Sequence, residues 1–75
     1  MPIIHVRAYS GRDLETKKKA AEAMAKAAAE AMGAPLTAFT VIYEEFEKET
    51  WEETVNKPFV EPLKDKMLMV KGEMV

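Results

Sequence analysis

The sequence predicts a single small domain of the α/β (α+β) class, built on a β-α-β unit with two parallel strands and a helix near its carboxyl end. Three observations lead to this prediction: a short run of β-branched residues at the start, a long alanine-rich helical pattern, and a second alternating run. The chain has 75 residues, a length that supports one hydrophobic core. We therefore expect one domain over residues 1–75.

The first strand is predicted over residues 3–9, where apolar and mixed side chains alternate. One face carries Ile4, Val6 and Ala8, and the opposite face carries Ile3, His5, Arg7 and Tyr9. This alternation is typical of a strand with one buried face. The pair Ser10-Gly11 ends the strand.

The first helix is predicted over residues 13–32. Asp13 is a suitable N-cap, because its carboxylate can accept hydrogen bonds from the unpaired amides of the first turn. Gly33 ends the helix, and Pro35 prevents it from continuing. The expected buried stripe is Ala21, Met24, Ala25, Ala28 and Met32. The basic run over residues 17–19 lies among acidic residues and is interpreted as a solvated face.

A second strand is predicted over residues 38–44, so that strand, helix and strand form a right-handed parallel crossover. Thr50 and Glu53 match a capping box that would open a second helical region over residues 51–69. Pro58 and Pro62 should kink or break this region, because proline lacks an amide proton and clashes with the preceding turn. The residues from Gly72 onward are expected to form a tail.

A two-stranded sheet is marginally stable in water, and its open edges invite pairing. A second copy of the chain can cover the open edge and complete a four-stranded sheet with helices on one face. The sequence therefore predicts a homodimer. Disulfides and thiolate metal sites are excluded because the chain has no cysteine, and the single histidine argues against a histidine metal cluster.

Composition also limits the partners. The net charge is −2 with both signs mixed along the chain, which argues against a nucleic-acid interface. No apolar run approaches the ~20 residues of a membrane span. The amino terminus lacks a basic region followed by an apolar stretch, so no secretory signal is predicted and the expected location is the cytoplasm.

Three residues could carry chemistry. Removal of Met1, which is efficient before a small residue, would leave Pro2 as a terminal secondary amine able to act as a base if its surroundings are apolar. Arg12, at the mouth of the helix, could hold a carboxylate bidentately. Trp51 could form an apolar wall. Each has a structural alternative: an ordinary proline after methionine, an arginine paired with Asp13, and a packing tryptophan.

These residues together resemble the tautomerase superfamily typified by 4-oxalocrotonate tautomerase. The similarity runs from Pro2-Ile3 through Gly11-Arg12 and the helix to the Ala34–Thr37 turn and Val41-Ile42. The resemblance implies a catalytic amino-terminal proline at Pro2, a carboxylate-binding arginine at Arg12 and an apolar wall at Trp51. It implies no cofactor and no metal.

The sequence departs from the prototype of that family at two places. Thr40 stands where the hexameric prototype has an arginine, which argues for a small monocarboxylic acid over a diacid. The prototype ends in a short hairpin, whereas a helix is predicted here, as in a branch of small dimeric tautomerases. We therefore expect a dimer rather than a hexamer.

The predicted function is a keto–enol tautomerase acting on a small 2-hydroxy-dienoate or an aryl-enol acid. Two alternatives remain open. Pro2 could act as an acid in a decarboxylase or hydratase of the same superfamily. If Met1 is retained, the chain would be a non-catalytic dimerisation or scaffold module.

Overall fold

The computed structural model describes all residues from 1 to 75. The chain divides into two compact units, residues 1–45 and residues 46–75, and the prediction of one domain over residues 1–75 stays a prediction. None of the helices is long and apolar enough to cross a bilayer. No three histidine, aspartate or glutamate side chains lie close enough together to hold a metal ion.

The first unit contains the predicted β-α-β order. Strand β1 spans Ile3–Tyr9, helix α1 spans Leu14–Met32, and strand β2 spans Thr40–Phe46, whose last residue begins the second unit. The two strands pair in parallel, as predicted. β2 begins two residues later than expected, because Leu36–Ala38 forms a turn of 3-10 helix after Pro35.

The ends of α1 match the sequence signals. The Asp13 carboxylate accepts a hydrogen bond from the Thr16 amide at 2.8 Å, which satisfies one unpaired donor of the first turn. At the other end Gly33 adopts a left-handed conformation (φ 68°), and the Ala34 amide bonds to the Ala29 carbonyl at 3.0 Å. This is the glycine-dependent helix stop that the sequence predicts.

The buried stripe of α1 is partly as predicted. Ala25 is buried and Ala21, Met24 and Ala28 are half-buried. Met32 was wrongly included, since 62% of its surface is exposed. Met32 is the last residue of the helix, where the chain turns away at Gly33, so a side chain in phase with the stripe has little left to pack against.

The two faces of the β1–β2 sheet differ in burial. Ile4, Val6 and Ala8 of β1 are half-buried, as are Val41 and Tyr43 of β2. On the opposite face His5 bonds through Nε2 to the Glu44 carboxylate, and the Arg7 guanidinium lies 3.4 Å from His5 Nδ1. The predicted division of β1 into an apolar face and a mixed face is therefore confirmed.

The second unit begins with the end of β2 and a 3-10 turn over Lys48–Thr50. A π-helical segment, Glu52–Val60, follows and leads directly into a 3-10 helix, Glu61–Lys66. Pro58 lies inside the π-helical segment. Proline cannot donate a backbone hydrogen bond, and in an α-helix its ring clashes with the carbonyl of the preceding turn. The wider π-helical turn leaves room for this ring. The predicted interruption by proline is confirmed.

Two predictions for this unit were wrong. Thr50 is not an N-cap: it belongs to the 3-10 turn, and its hydroxyl donates to the Glu47 carbonyl at 3.4 Å. The last residues are not a tail, because Met69–Val70 (β3) pairs antiparallel with Glu73–Met74 (β4). Lys71 and Gly72 connect them with φ angles of 50° and 83°, the positive values that a tight hairpin turn of matching twist requires.

The terminal hairpin changes one inference about assembly. The predicted contrast with a prototype that ends in a hairpin does not hold, because the helical region ends at Lys66 and a hairpin follows it. The preference for a dimer over a hexamer loses that support. The homodimer stays a prediction, resting on the open edges of the sheet.

Candidate active site

Pro2 lies immediately before β1 and is tied to the sheet. Its carbonyl accepts a hydrogen bond from the amide of Thr40, the first residue of β2, at 3.2 Å. Pro2 is half-buried, whereas 98% of the Met1 surface is exposed. The terminal methionine is thus accessible, and the ring that would become the terminal amine is anchored beside Thr40.

Arg12 lies in the loop between β1 and α1 and is exposed. Its guanidinium donates to the carbonyl of Tyr9 at 3.4 Å. The Asp13 carboxylate, the expected structural partner of Arg12, is engaged in capping α1 through the Thr16 amide, and this hydrogen bond lowers the pKa of Asp13. The Arg12 guanidinium lies at the surface, where an acid in solution can reach it.

Pro2 and Arg12 lie at opposite ends of the same strand. β1 has seven residues, and a strand rises roughly 3.3 Å per residue, so about 20 Å or more separates the two residues. A small acid cannot contact both residues within one chain. The chain by itself also encloses no pocket.

Trp51 belongs to the second unit and is half-buried. The rings of Trp51 and Phe46 pack edge to face, with centroids 6.3 Å apart and planes at 87°. This geometry is favourable for aromatic pairs. Trp51 is therefore at least a packing residue of its own unit, which is the structural alternative considered for it.

Lys17 and Glu45 form an ion pair that the sequence analysis missed. Lys17 Nζ lies 2.7 Å from Glu45 Oε1 and 5.9 Å from the centroid of the Tyr43 ring. Only 22% of the Lys17 side chain is exposed, so assigning it to a solvated basic run was wrong. The signal was present in the sequence, since Lys17 precedes Ala21 by four residues and is in phase with the buried stripe.

The chain is similar in sequence and in structure to known proteins. The family model described as tautomerase enzyme matches residues 2–52, a range that includes Pro2, Arg12 and Trp51. The chain belongs to the tautomerase family. No curated protein sequence is significantly similar to it.

Solved structures agree with this membership. TomN, a 4-oxalocrotonate tautomerase homologue in the tomaymycin biosynthetic pathway, is 33% identical, with a TM-score of 0.64 over 85% of this chain and 95% of its own. N2, a member of the 4-oxalocrotonate tautomerase family, is 35% identical, with a TM-score of 0.60 over 61% of this chain and 72% of its own. The apo unfused 4-oxalocrotonate tautomerase shares the fold at 20% identity, with a TM-score of 0.61 over 99% and 93% of the two chains.

Proposed function

We propose that this tautomerase-family chain is a cofactor-independent keto–enol tautomerase in which Pro2, once Met1 has been removed, transfers the proton. The substrate class is a small monocarboxylic enol acid, either a 2-hydroxy-dienoate or an aryl-enol acid such as enolphenylpyruvate. The observation that supports this most is the position of Pro2: half-buried, at the start of β1, and held by the Thr40 amide at 3.2 Å.

The proton transfer needs a neutral amine. An ordinary terminal amine has a pKa of about 7.7–8.0, and a proline amine is more basic, so apolar surroundings must disfavour its charged form. Neutral Pro2 then takes the proton of the enol hydroxyl, and the protonated ring returns a proton to carbon. The enol O–H and the C=C π bond are replaced by C=O and C–H, so the reaction needs no oxidant, reductant or metal.

The other two candidate residues bind the substrate in this proposal. Arg12 holds the carboxylate through two charge-assisted hydrogen bonds. Trp51 contacts the apolar part of the acid. Thr40 lies beside Pro2 and has no charge, so a second carboxylate finds no cation there.

We propose further that the complete site is shared between two copies of the chain. Pro2 and Arg12 are about 20 Å or more apart, because the whole of β1 lies between them, and this is too far for one small acid. If two β1 edges pair antiparallel across a twofold axis, the amino-terminal end of one strand lies beside the carboxyl-terminal end of the other. Pro2 of one copy and the corresponding arginine of the second would then face the same acid in a four-stranded sheet.

A blocked amino terminus tests the role of Pro2 without changing any residue of the chain. Intact-mass measurement first establishes whether Met1 is absent from the purified protein. A matched form with a short, non-cleavable extension before Pro2 converts the amine into an amide. We expect this form to keep its circular dichroism spectrum and lose enol ketonisation. Equal turnover of the blocked and free forms would rule out Pro2 as the base.

Mixing two impaired variants tests the shared site, when activity is measured at an enolphenylpyruvate concentration well below the KM of wild type. In a dimer with one Pro2→Ala chain and one Arg12→Ala chain, one of the two sites keeps both wild-type residues. Unfolding and refolding an equal mixture should therefore restore about a quarter of wild-type activity, since half of the dimers are mixed and each has one intact site. Activity no higher than that of the separate variants would contradict the shared site.

The pH dependence separates this proposal from its enzymatic alternative. A base must be neutral, so turnover should rise with pH through the pKa of Pro2, whereas an acid must be charged, so turnover by a decarboxylase or hydratase should fall. Retention of Met1 in the protein as it occurs in the cell would instead favour the non-catalytic dimerisation or scaffold module, because Pro2 would then have no basic nitrogen.

A further inference from the structure

The loop that carries Arg12 is held by a side chain from the other strand. Glu45 Oε2 accepts a hydrogen bond from the Gly11 amide at 3.2 Å, and the Arg12 amide adds a further contact to the same carboxylate. Because β1 and β2 are parallel, their carboxyl-terminal ends lie side by side, which brings Glu45 next to the residues that follow Tyr9.

The second oxygen of this carboxylate is occupied separately. Glu45 Oε1 accepts from Lys17 Nζ at 2.7 Å. Only 27% of the Glu45 side chain and 22% of the Lys17 side chain are exposed. One carboxylate therefore joins the end of β2, the first turns of α1 and the loop between β1 and α1.

The charges of Lys17 and Glu45 also favour a carboxylate that holds this loop. The pKa of Glu45 lies below its ordinary value, chiefly because Lys17 donates a hydrogen bond to it and also because the Gly11 and Arg12 amides do so, while partial burial opposes the shift. The carboxylate therefore stays charged at neutral pH. Lys17 offsets its charge, so an acid approaching Arg12 meets less repulsion than it would from an isolated glutamate.

The backbone of the loop also needs support. Gly11 has φ +128°, a conformation that residues with a side chain rarely adopt, and nothing lies within 4 Å of where its Cβ would be. Gly11 has no side chain that could anchor it, and the hydrogen bond from its amide to Glu45 ties it to β2. The Arg12 side chain starts from the next residue, so its position depends on this bond.

We infer that Glu45 is a positioning residue for Arg12, and that the Lys17–Glu45 pair fixes the loop so that the guanidinium meets the substrate carboxylate. This inference rests on the proposed function only in its last step, the binding of substrate by Arg12. Glu45 itself contacts no reacting atom. Its loss should therefore weaken substrate binding and leave the proton transfer at Pro2 unchanged.

The adjacent glutamate provides a matched control. Glu44 bonds to His5 on the opposite face of the sheet, whereas Glu45 bonds to the loop. We expect Glu45→Gln to raise the KM for enolphenylpyruvate about tenfold with kcat within about twofold, the size expected for losing hydrogen bonds to a charged group. Glu44→Gln should leave both constants within about twofold. Lys17→Met should reproduce part of the effect, and Lys17→Arg should restore it.

A double variant distinguishes positioning from a general structural role. If Glu45 acts through Arg12, adding Glu45→Gln to Arg12→Ala should not raise KM further. Additive effects of the two changes, or equal effects of Glu45→Gln and Glu44→Gln, would overturn the inference.

Amide hydrogen exchange provides a readout that does not need turnover. The Gly11 amide should exchange faster in Glu45→Gln and at the wild-type rate in Glu44→Gln. If the wild-type protein ketonises no enol acid, the proposed function fails, and the exchange rates still decide whether Glu45 holds the loop. Unchanged Gly11 exchange in Glu45→Gln would overturn the inference even in a fully active enzyme.

Discussion

The helices of the two units differ in their caps and in their proline content. In residues 1–45, α1 begins at an aspartate cap, ends at a left-handed glycine and contains no proline. In residues 46–75, the π-helical segment begins without a side-chain cap and contains Pro58, and the 3-10 helix that follows has a non-helical residue at Leu63. Where cap, stop and apolar spacing agree, the local sequence determines the helix. Where prolines interrupt the backbone hydrogen bonds of a helix, the chain forms a wider π-helical segment followed by a tighter 3-10 helix.

The two units also differ in the residues that could do chemistry. Pro2, Arg12 and the Lys17–Glu45 pair lie in the first unit, whereas the second contributes Trp51 and the most deeply buried residue, Val55. We therefore expect changes in the first unit to alter catalysis and changes in the second to alter mainly stability. The following predictions test this difference, beginning with the largest expected effect.

Arg12→Ala should raise the KM for enolphenylpyruvate roughly 10- to 100-fold, because two charge-assisted hydrogen bonds to the carboxylate are lost. Steady-state kinetics measure this effect. Arg12→Lys keeps the charge but not the planar pair of donors, so its KM should lie between those of wild type and Arg12→Ala. An unchanged KM in Arg12→Ala would show that the carboxylate binds elsewhere.

Val55→Ala should lower the free energy of unfolding by about 2 kcal/mol, since Val55 is 2% exposed and the change leaves a cavity. Urea denaturation measures this loss. At urea concentrations below the unfolding transition, kcat should match that of wild type, because the proposed base, Pro2, lies in the first unit. A large fall in kcat with normal stability would remove the proposed difference between the units.

Trp51 and Phe46 should be coupled by about 0.5–1.5 kcal/mol, as expected for an edge-to-face pair with centroids 6.3 Å apart. A double-mutant cycle with Trp51→Ala and Phe46→Ala measures this coupling. The same variants test the role of Trp51 in binding. If Trp51 contacts the aryl group, Trp51→Ala should raise KM more than Phe46→Ala does, and equal effects would leave Trp51 as a packing residue.

Acid should loosen the first unit before the second. The pKa values of Asp13 and Glu45 both lie below their ordinary values of 3.8 and 4.5, owing chiefly to Thr16 and to Lys17 respectively. As pH falls through these ordinary values, the two carboxylates take up protons in the unfolded chain before they do so in the folded chain. Their contribution to stability is therefore complete above about pH 4.5 and is lost as pH falls through their lower pKa values in the folded chain.

Amide NMR signals measure this difference. The signals of Thr16 and Gly11, whose amides donate to the two carboxylates, should shift on acidification. The Met67 amide donates to the Lys64 carbonyl at 3.3 Å and serves as the control in the second unit. A Met67 signal that moves first would contradict the prediction.

The smallest effects are expected at the two residues that the sequence marks as caps. Thr50→Ala should change the free energy of unfolding by no more than about 0.5 kcal/mol, because Thr50 is exposed and caps no helix. Asp13→Ala should lower the unfolding temperature measurably, because the Thr16 amide loses its acceptor. Thermal denaturation compares the two variants directly. Equal changes in unfolding temperature would contradict the difference between Asp13, which caps a helix, and Thr50, which does not.

The sequence was sufficient for the first unit because its signals are local and agree with one another. Asp13, Gly33 and the alternation in β1 each act within a few residues. The Lys17–Glu45 pair was missed because it joins residues 28 apart, although the helical phase of Lys17 was a usable signal. In the second unit, the Thr50–Glu53 pattern matches a capping box, but Thr50 is already part of the 3-10 turn Lys48–Thr50. The hairpin was missed because its turn, Lys71-Gly72, lacks the asparagine or aspartate that usually precedes glycine in such turns.

The central claim is that the first unit performs catalysis through the amine of Pro2. The most direct measurement compares enol ketonisation by wild type and Pro2→Ala after intact mass has established that both lack Met1. Loss of a positioned base should lower kcat by about 100-fold or more, with the fold unchanged by circular dichroism. A Pro2→Ala protein that ketonises the enol at the wild-type rate would contradict the claim.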